Sequence, residues 1–257
     1  MKYNAGRLRR SALGLVALSA LSLITALPAS AQTAKRTVVV WSERTAPTNV
    51  YPKDINGAIA EGLQGLAGWE IITANIDQPE QGLSDALLKQ CDVLIWWGHK
   101  RHKQVKPELI QKIEQRVKAD GMGFMALHSS HFAEPYKAIM GTKCSWAEYK
   151  ADGTSVKITV KEPNHPIAQG VPKEFDLPKI ERYGEPFQVP TPEAVVFEGM
   201  YKKPNGETAM GRMAMCWTMG KGKVFYFTPG HETYDDFFRP EVRQIMKNAV
   251  QWAAPKK

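Results

Sequence analysis

Along this chain, short apolar runs alternate with longer segments whose apolar positions recur every three or four residues, and the two patterns take turns through the first half. The apolar runs predict strands over Thr37 to Trp41, Trp69 to Ala74, Asp92 to Trp97 and Gly123 to Leu127. Between them the longer period predicts helices from about Asp54 to Leu66, Ser84 to Lys89, Pro107 to Lys118 and onward from near Ala133. Pro107 suits the first position of its helix, and Asp120-Gly121 supplies the stop and turn after it. Strand and helix in alternation imply a parallel sheet covered on both faces. From Gly141 to about Gly211 the pattern changes to short strand-like runs such as Val156 to Val160 and Ala194 to Phe197, separated by turns containing proline or glycine. This predicts a β-rich insertion on the edge of the sheet or over its carboxyl end. Strands Arg212 to Trp217 and Lys223 to Phe227, joined by the turn Gly220-Lys221-Gly222, and a helix from Pro240 to Trp252 return the chain to the core.

The N-terminus changes the expected compartment. Lys2, Arg7, Arg9 and Arg10 precede an apolar stretch from Ser11 to Leu27, and Pro28-Ala29-Ser30-Ala31 follows it. A basic region, an apolar region and an A-x-A site read as a secretory signal over residues 1–31, cleaved after Ala31. The stretch is shorter than the ~20 apolar residues that span a bilayer, so no stable membrane anchor is expected. The mature protein is expected in the periplasm or secreted, and Arg9-Arg10 is compatible with general or twin-arginine export. Removing four cations and no acids lowers the formal charge from +8 to +4. With Lys and Arg interspersed among Asp and Glu, no nucleic-acid partner is implied. Residues 32–257, with no Ser/Gly/Pro-rich linker, read as a single domain. Cys91, Cys144 and Cys216 are odd in number and form no CxxC pair, and Cys91 and Cys216 fall on predicted strands as buried thiols.

Candidate chemistry concentrates just past the strands. Five of the six histidines lie in three clusters, Trp96 to His102, Leu127 to Phe132 and Thr228 to Glu232, each following a strand-like run. Open α/β sheets place their sites at the carboxyl ends of strands, so the three loops are expected to converge on one crevice. His99/His102 and His128/His131 are spaced i, i+3, which puts both rings of a pair on one side of a turn. His99, His128 and His231 are the candidate ligands of a divalent ion, zinc or similar. Glu43, at the end of the first strand, Glu232 and His131 are the candidate proton carriers. Trp97, His102, Ser129, Tyr183 and Glu185 are candidate contacts to a small-molecule sugar, an aromatic beside a carboxylate being how such sites hold a ring face and its hydroxyls. The turn Leu127-His128-Ser129-Ser130 has no cysteine for an amidase nucleophile and does not satisfy G-x-S-x-G around Ser129.

The motifs Val40-Trp41-Ser42-Glu43, Asp92 to His99, Ala126 to Phe132, Met140-Gly141-Thr142, Tyr183 to Phe187 and Phe225 to Glu232 resemble those of the ThuA-like, trehalose-utilization family, over about Thr37 to Pro255. The resemblance implies a flavodoxin-like, class I glutamine amidotransferase-like α/β fold, a three-layer sandwich with a mainly parallel sheet. It does not imply glutaminase activity, since the elbow cysteine is missing and His231-Glu232 does not reproduce the His-x-Glu order. It does imply bacterial disaccharide catabolism alongside dehydrogenases that make 3-keto sugars. Combined with the histidine clusters, it points to a metal-assisted isomerase, lyase or hydrolase of an oxidised sugar or glycoside. The competing reading is a non-catalytic sugar-binding protein of the same fold. A homo-oligomer is compatible with either.

Overall fold

The computed structural model describes residues 1–3 and 35–256, so the expected signal segment and its cleavage after Ala31 fall, but for the first three residues, outside the described residues. Strands β1 (Arg36–Ser42), β2 (Trp69–Asn75), β3 (Cys91–Trp97) and β4 (Gly123–Leu127) alternate with helices α1 (Asp54–Leu63), α2 (Asp85–Gln90) and α3 (Pro107–Lys118), and α4 (Glu134–Met140) follows β4. After α4 come β5 (Trp146–Lys150), β6 (Ser155–Val160), β7 (Glu174–Leu177), β8 (Arg182–Phe187), β9 (Ala194–Lys202), β10 (Thr208–Met219), β11 (Gly222–Phe227) and α5 (Pro240–Ala253).

Nine strands form one sheet in the order β2-β1-β3-β4-β11-β10-β9-β6-β7. The first five are parallel to their neighbours, and every pairing from β11 outward is antiparallel. The segment between Gly141 and Gly211 therefore supplies the antiparallel half of the main sheet through β6, β7 and β9, while β5 and β8 pair as a separate ribbon. Burial explains the apolar strand sequences. Along β1, β3, β4 and β11 alternate residues enter opposite cores: Val38, Val40, Ile95, Leu127 and Phe225 pack with α1 and α5, whereas Val39, Trp41, Leu94, Phe124 and Tyr226 pack with α3 and α4. The result is a three-layer sandwich with both sheet faces covered. The indoles of Trp96 and Trp97 divide between these two cores, and both are fully buried. Among the described residues, no helix is long and apolar enough to cross a membrane.

Candidate functional site

Parallel strands end on a common edge, and here four of them deliver polar residues to it. Glu43 follows β1, His99 follows β3, His128 follows β4 and His231 follows β11. The strand order reverses between β1 and β3, which leaves a crevice at the carboxyl ends that neither neighbour fills.

His128 is set by its backbone. It takes a left-handed φ of 51° immediately after β4, a conformation that costs a non-glycine residue roughly 1–2 kcal/mol. Its carbonyl accepts from Tyr226 Oη at 2.9 Å and from His131 Nδ1 at 3.2 Å. Its Nδ1–H donates to the Thr228 carbonyl at 2.9 Å, since a carbonyl can only accept, and this turns Nε2 toward the Glu181 side of the cluster. His131 is likewise buried, with Nδ1 used and Nε2 without a partner. Burial is the main cause that pushes its pKa down to about 3, so its ring is neutral.

Glu43 is fully buried, and its Oε2 accepts from three successive backbone N–H groups, those of His99, Lys100 and Arg101, at 2.8, 2.7 and 2.7 Å. Converging amides of this kind form an anion-binding nest, and the occupant is the protein's own carboxylate. Gly98 is needed beside it, since a Cβ there would lie 2.8 Å from Glu43 Oε1. Glu43 thus anchors the loop that carries His99, and only Oε1, 3.4 Å from His102 Nδ1, faces a titratable neighbour. Of the carboxylate expected to carry a proton, Oε2 is held by the three amides, and Oε1 is the oxygen that has no hydrogen-bond partner among the described residues.

The third loop turns at Gly230, whose φ of 115° and 2.6 Å approach of a would-be Cβ to the Phe237 ring exclude a side chain. The Trp97 indole donates to the Gly230 carbonyl at 3.0 Å. Trp97 therefore supports this loop from the core, and its expected contact to a sugar is corrected on that ground. Beyond the turn, Glu232 Oε1 accepts from His99 Nδ1 at 2.6 Å and pairs with Lys100 Nζ at 2.9 Å. Burial would raise the Glu232 carboxyl, but these two bonds outweigh it and hold the pKa at about 2. His231 lies between the other two rings, its centroid 5.0 Å from that of His99 and 5.3 Å from that of His128. Burial, then the neighbouring His128, lowers its pKa to about 4.

A carboxylate absent from the sequence expectations completes the cluster. Glu181, just before β8 and 4% exposed, places Oε2 at 3.1 Å from His128 Nε2 and Oε1 at 3.3 Å from His231 Nε2. Tyr149 Oη donates to Oε1 at 2.7 Å, and Tyr183 Oη lies 3.4 Å from both Oε2 and His128 Nε2. Above them opens a cavity of about 350 Å³. Phe132, Trp146, Tyr149 and Tyr183 give it aromatic walls, while His99, Ser129, His131 and Glu181 supply its polar groups. His102 lines a neighbouring cavity of about 410 Å³ that shares His99 and Phe132 with the first. Glu185, the carboxylate chosen from the sequence, is held in a two-point ion pair by Arg212 at 2.6 and 2.8 Å and lines neither cavity.

Among the described residues, two sets of side chains have the donor types and spacing for a metal ion, His99/His231/Glu232 and His128/Glu181/His231, with the donor atoms of each within 4.8 Å of one another. The expected trio of His99, His128 and His231 is brought together around His231, and each set adds a glutamate. The second set joins two imidazole nitrogens to one carboxylate, with His128 Nε2 3.1 Å and His231 Nε2 3.3 Å from Glu181, and these donor types suit a divalent cation once the rings give up any proton they hold there. The amides of His99, Lys100 and Arg101 are occupied by Glu43 and so are not free to stabilise an oxyanion.

The family profile described as trehalose utilisation, ThuA, matches residues 36–253. No curated protein matches the chain to a significant degree. Among solved structures, the chain is similar to a protein described as ThuA-like from Bacteroides uniformis ATCC 8492, with TM-score 0.62, 16% identity, and 89% of this chain and 95% of that one covered. Another described as ThuA-like, from Parabacteroides merdae ATCC 43184, gives TM-score 0.61, 11% identity, and 85% and 89% coverage. PurLQS from Thermotoga maritima gives TM-score 0.52, 11% identity, and 85% and 99% coverage. At these identities the likeness shows a shared α/β fold.

Proposed function

The chain belongs to the ThuA, trehalose-utilisation family, with a role related to carbohydrates, and from that premise we propose that it is an enzyme acting on an oxidised, 3-keto sugar or glycoside by isomerisation or cleavage next to the carbonyl. The observation that carries this reading is the aromatic-walled cavity of about 350 Å³ with His99, His131 and Glu181 in its wall. Aromatic faces suit the apolar faces of a sugar ring, and a few convergent polar groups suit its hydroxyls. Ser129 and Tyr183 orient hydroxyls, and the unpartnered Nε2 of His131 accepts one. Glu232, with Oε2 unpartnered and 3.4 Å from His231 Nε2, is the carboxylate placed to move a proton. A divalent ion in this cluster, zinc or similar, would polarise the substrate carbonyl. Export belongs to the same proposal: the signal pattern over residues 1–31 would put the mature single domain, 32–257, in the periplasm or medium, where it meets sugars first.

The test is incubation of the purified protein with 3-keto-trehalose and 3-keto-glucose, with products followed by NMR. New carbohydrate resonances that depend on the protein support the enzyme. Binding without any product would identify the runner-up, a sugar-binding protein, which the aromatic walls of the cavity favour as a second reading.

A further inference from the structure

Resting on the reading that this cluster takes a cation, we propose that the ligands are His128, Glu181 and His231, and that His99 and Glu232 form a separate ion-paired group with Lys100 that does not ligate. The ring of His128 is oriented from behind, since Nδ1–H donates to the Thr228 carbonyl and Nε2 points at Glu181 Oε2, 3.1 Å away. A backbone carbonyl behind a ligating imidazole is the usual device for orienting it. Tyr183 Oη lies 3.4 Å from both the imidazole and the carboxylate and can donate to one of them at a time. Thr233 engages His231 Nδ1 through its hydroxyl at 2.8 Å and its backbone N–H at 3.3 Å, which leaves Nε2, 3.3 Å from Glu181 Oε1, as the nitrogen presented to the cluster; a metal there would displace its proton. Glu181 therefore bridges the two rings with one oxygen to each, and Tyr149 Oη supports it at 2.7 Å.

The spacing is consistent with an ion. Ligands about 2.0–2.2 Å from a tetrahedral zinc are roughly 3.3–3.6 Å apart, and one donor atom from each of His128, Glu181 and His231 lies within 4.8 Å of the others, so a small side-chain adjustment closes them on an ion. Two imidazoles and one carboxylate leave a fourth position open, as catalytic rather than structural sites do. Glu181 is also part of the cavity wall, so the open position would be presented to whatever the cavity holds.

The alternative set is disfavoured by charge. Glu232 Oε1 already has Lys100 Nζ at 2.9 Å and His99 Nδ1 at 2.6 Å. A cation there would share its ligand oxygen with an ammonium, and the two like charges would repel across it. Among the described residues, no cationic side chain pairs with Glu181 other than the two rings proposed as ligands.

Titration of metal-free protein with zinc against a competing chelator at neutral pH tests this, with circular dichroism as a check on folding. One ion should bind the natural protein. Glu181→Gln should weaken binding by at least about 10²-fold, as loss of one of three ligands does, whereas Glu232→Gln and His99→Ala should each change it by less than about fivefold. Wild-type affinity in Glu181→Gln together with loss in Glu232→Gln would overturn the ligand set while leaving the cation reading intact. No binding to the natural protein would overturn both. Zinc-edge X-ray absorption of the loaded natural protein needs no variant: two imidazoles with a carboxylate are expected, and three imidazoles would overturn the assignment.

Discussion

His128 Nε2 and Glu181 Oε2 stand 3.1 Å apart although 53 residues separate them in the chain. The pair joins the parallel half of the sheet, which ends in His128, to the segment that folds back over that end and delivers Glu181. Everything placed in the cavity by that segment depends on the loops beneath it being held in shape.

Glu43 is the residue that holds the first of those loops. Glu43→Ala should leave three partly buried N–H groups without their acceptor and destabilise the protein by roughly 2–4 kcal/mol, since each such loss costs about 1–3 kcal/mol when buried, water reaches part of this loop and neighbouring losses overlap. Chemical denaturation measures the change, and hydrogen exchange should show amides 99 to 101 losing protection. A loss below about 1 kcal/mol would remove the anchoring role.

How far the sequence discloses this arrangement depends on where each residue's partners lie. The four central strands and the histidines behind them are legible because a doubly buried strand is a short apolar run and the loop after it begins where the run stops. Glu181 is not legible. On an extended strand it shares a side with Tyr183 and Glu185, and only the lateral position of β8 decides that Glu181 meets the histidines while Glu185 meets Arg212. The role of Glu43 is hidden for another reason: its partners are backbone amides of a different loop, which leave no mark on the side-chain pattern. Trp97 beside Trp96 shows that an aromatic at the end of a strand can serve the core completely.

Asp236 gives a pH signature independent of any ligand. It is almost completely buried, and burial, opposed by Arg239 and aided by Asp235, raises its pKa from the usual 3.8 to about 7, with Tyr51 the other titratable neighbour. Folding therefore favours the protonated form. The contribution to stability is full below about pH 4, where the unfolded chain also holds the proton, and is lost as pH rises through about 7. Asp236→Asn should flatten this dependence and raise stability at pH 8 by up to about 4 kcal/mol. Parallel pH profiles of the two proteins in urea melts would contradict it.

Phe132 is 45% exposed on the cavity wall, so its ring contributes little to the core. Phe132→Ala should leave the melting temperature nearly unchanged and weaken sugar binding about five- to tenfold, corresponding to roughly 1 kcal/mol of lost ring contact. Calorimetric titration with 3-keto-trehalose checks this, and unchanged affinity would mean the sugar lies elsewhere.

The central claim is that the cluster around His231 is where the chemistry happens, and it is tested most directly by comparing turnover of 3-keto-trehalose by the natural protein and by His231→Ala, both supplied with zinc and both shown to be folded. Product is expected from the natural protein, with at least about a 10²-fold lower rate from the variant, because His231 lies within reach of both glutamates and both neighbouring rings. Equal rates from the two proteins would contradict the assignment of this site.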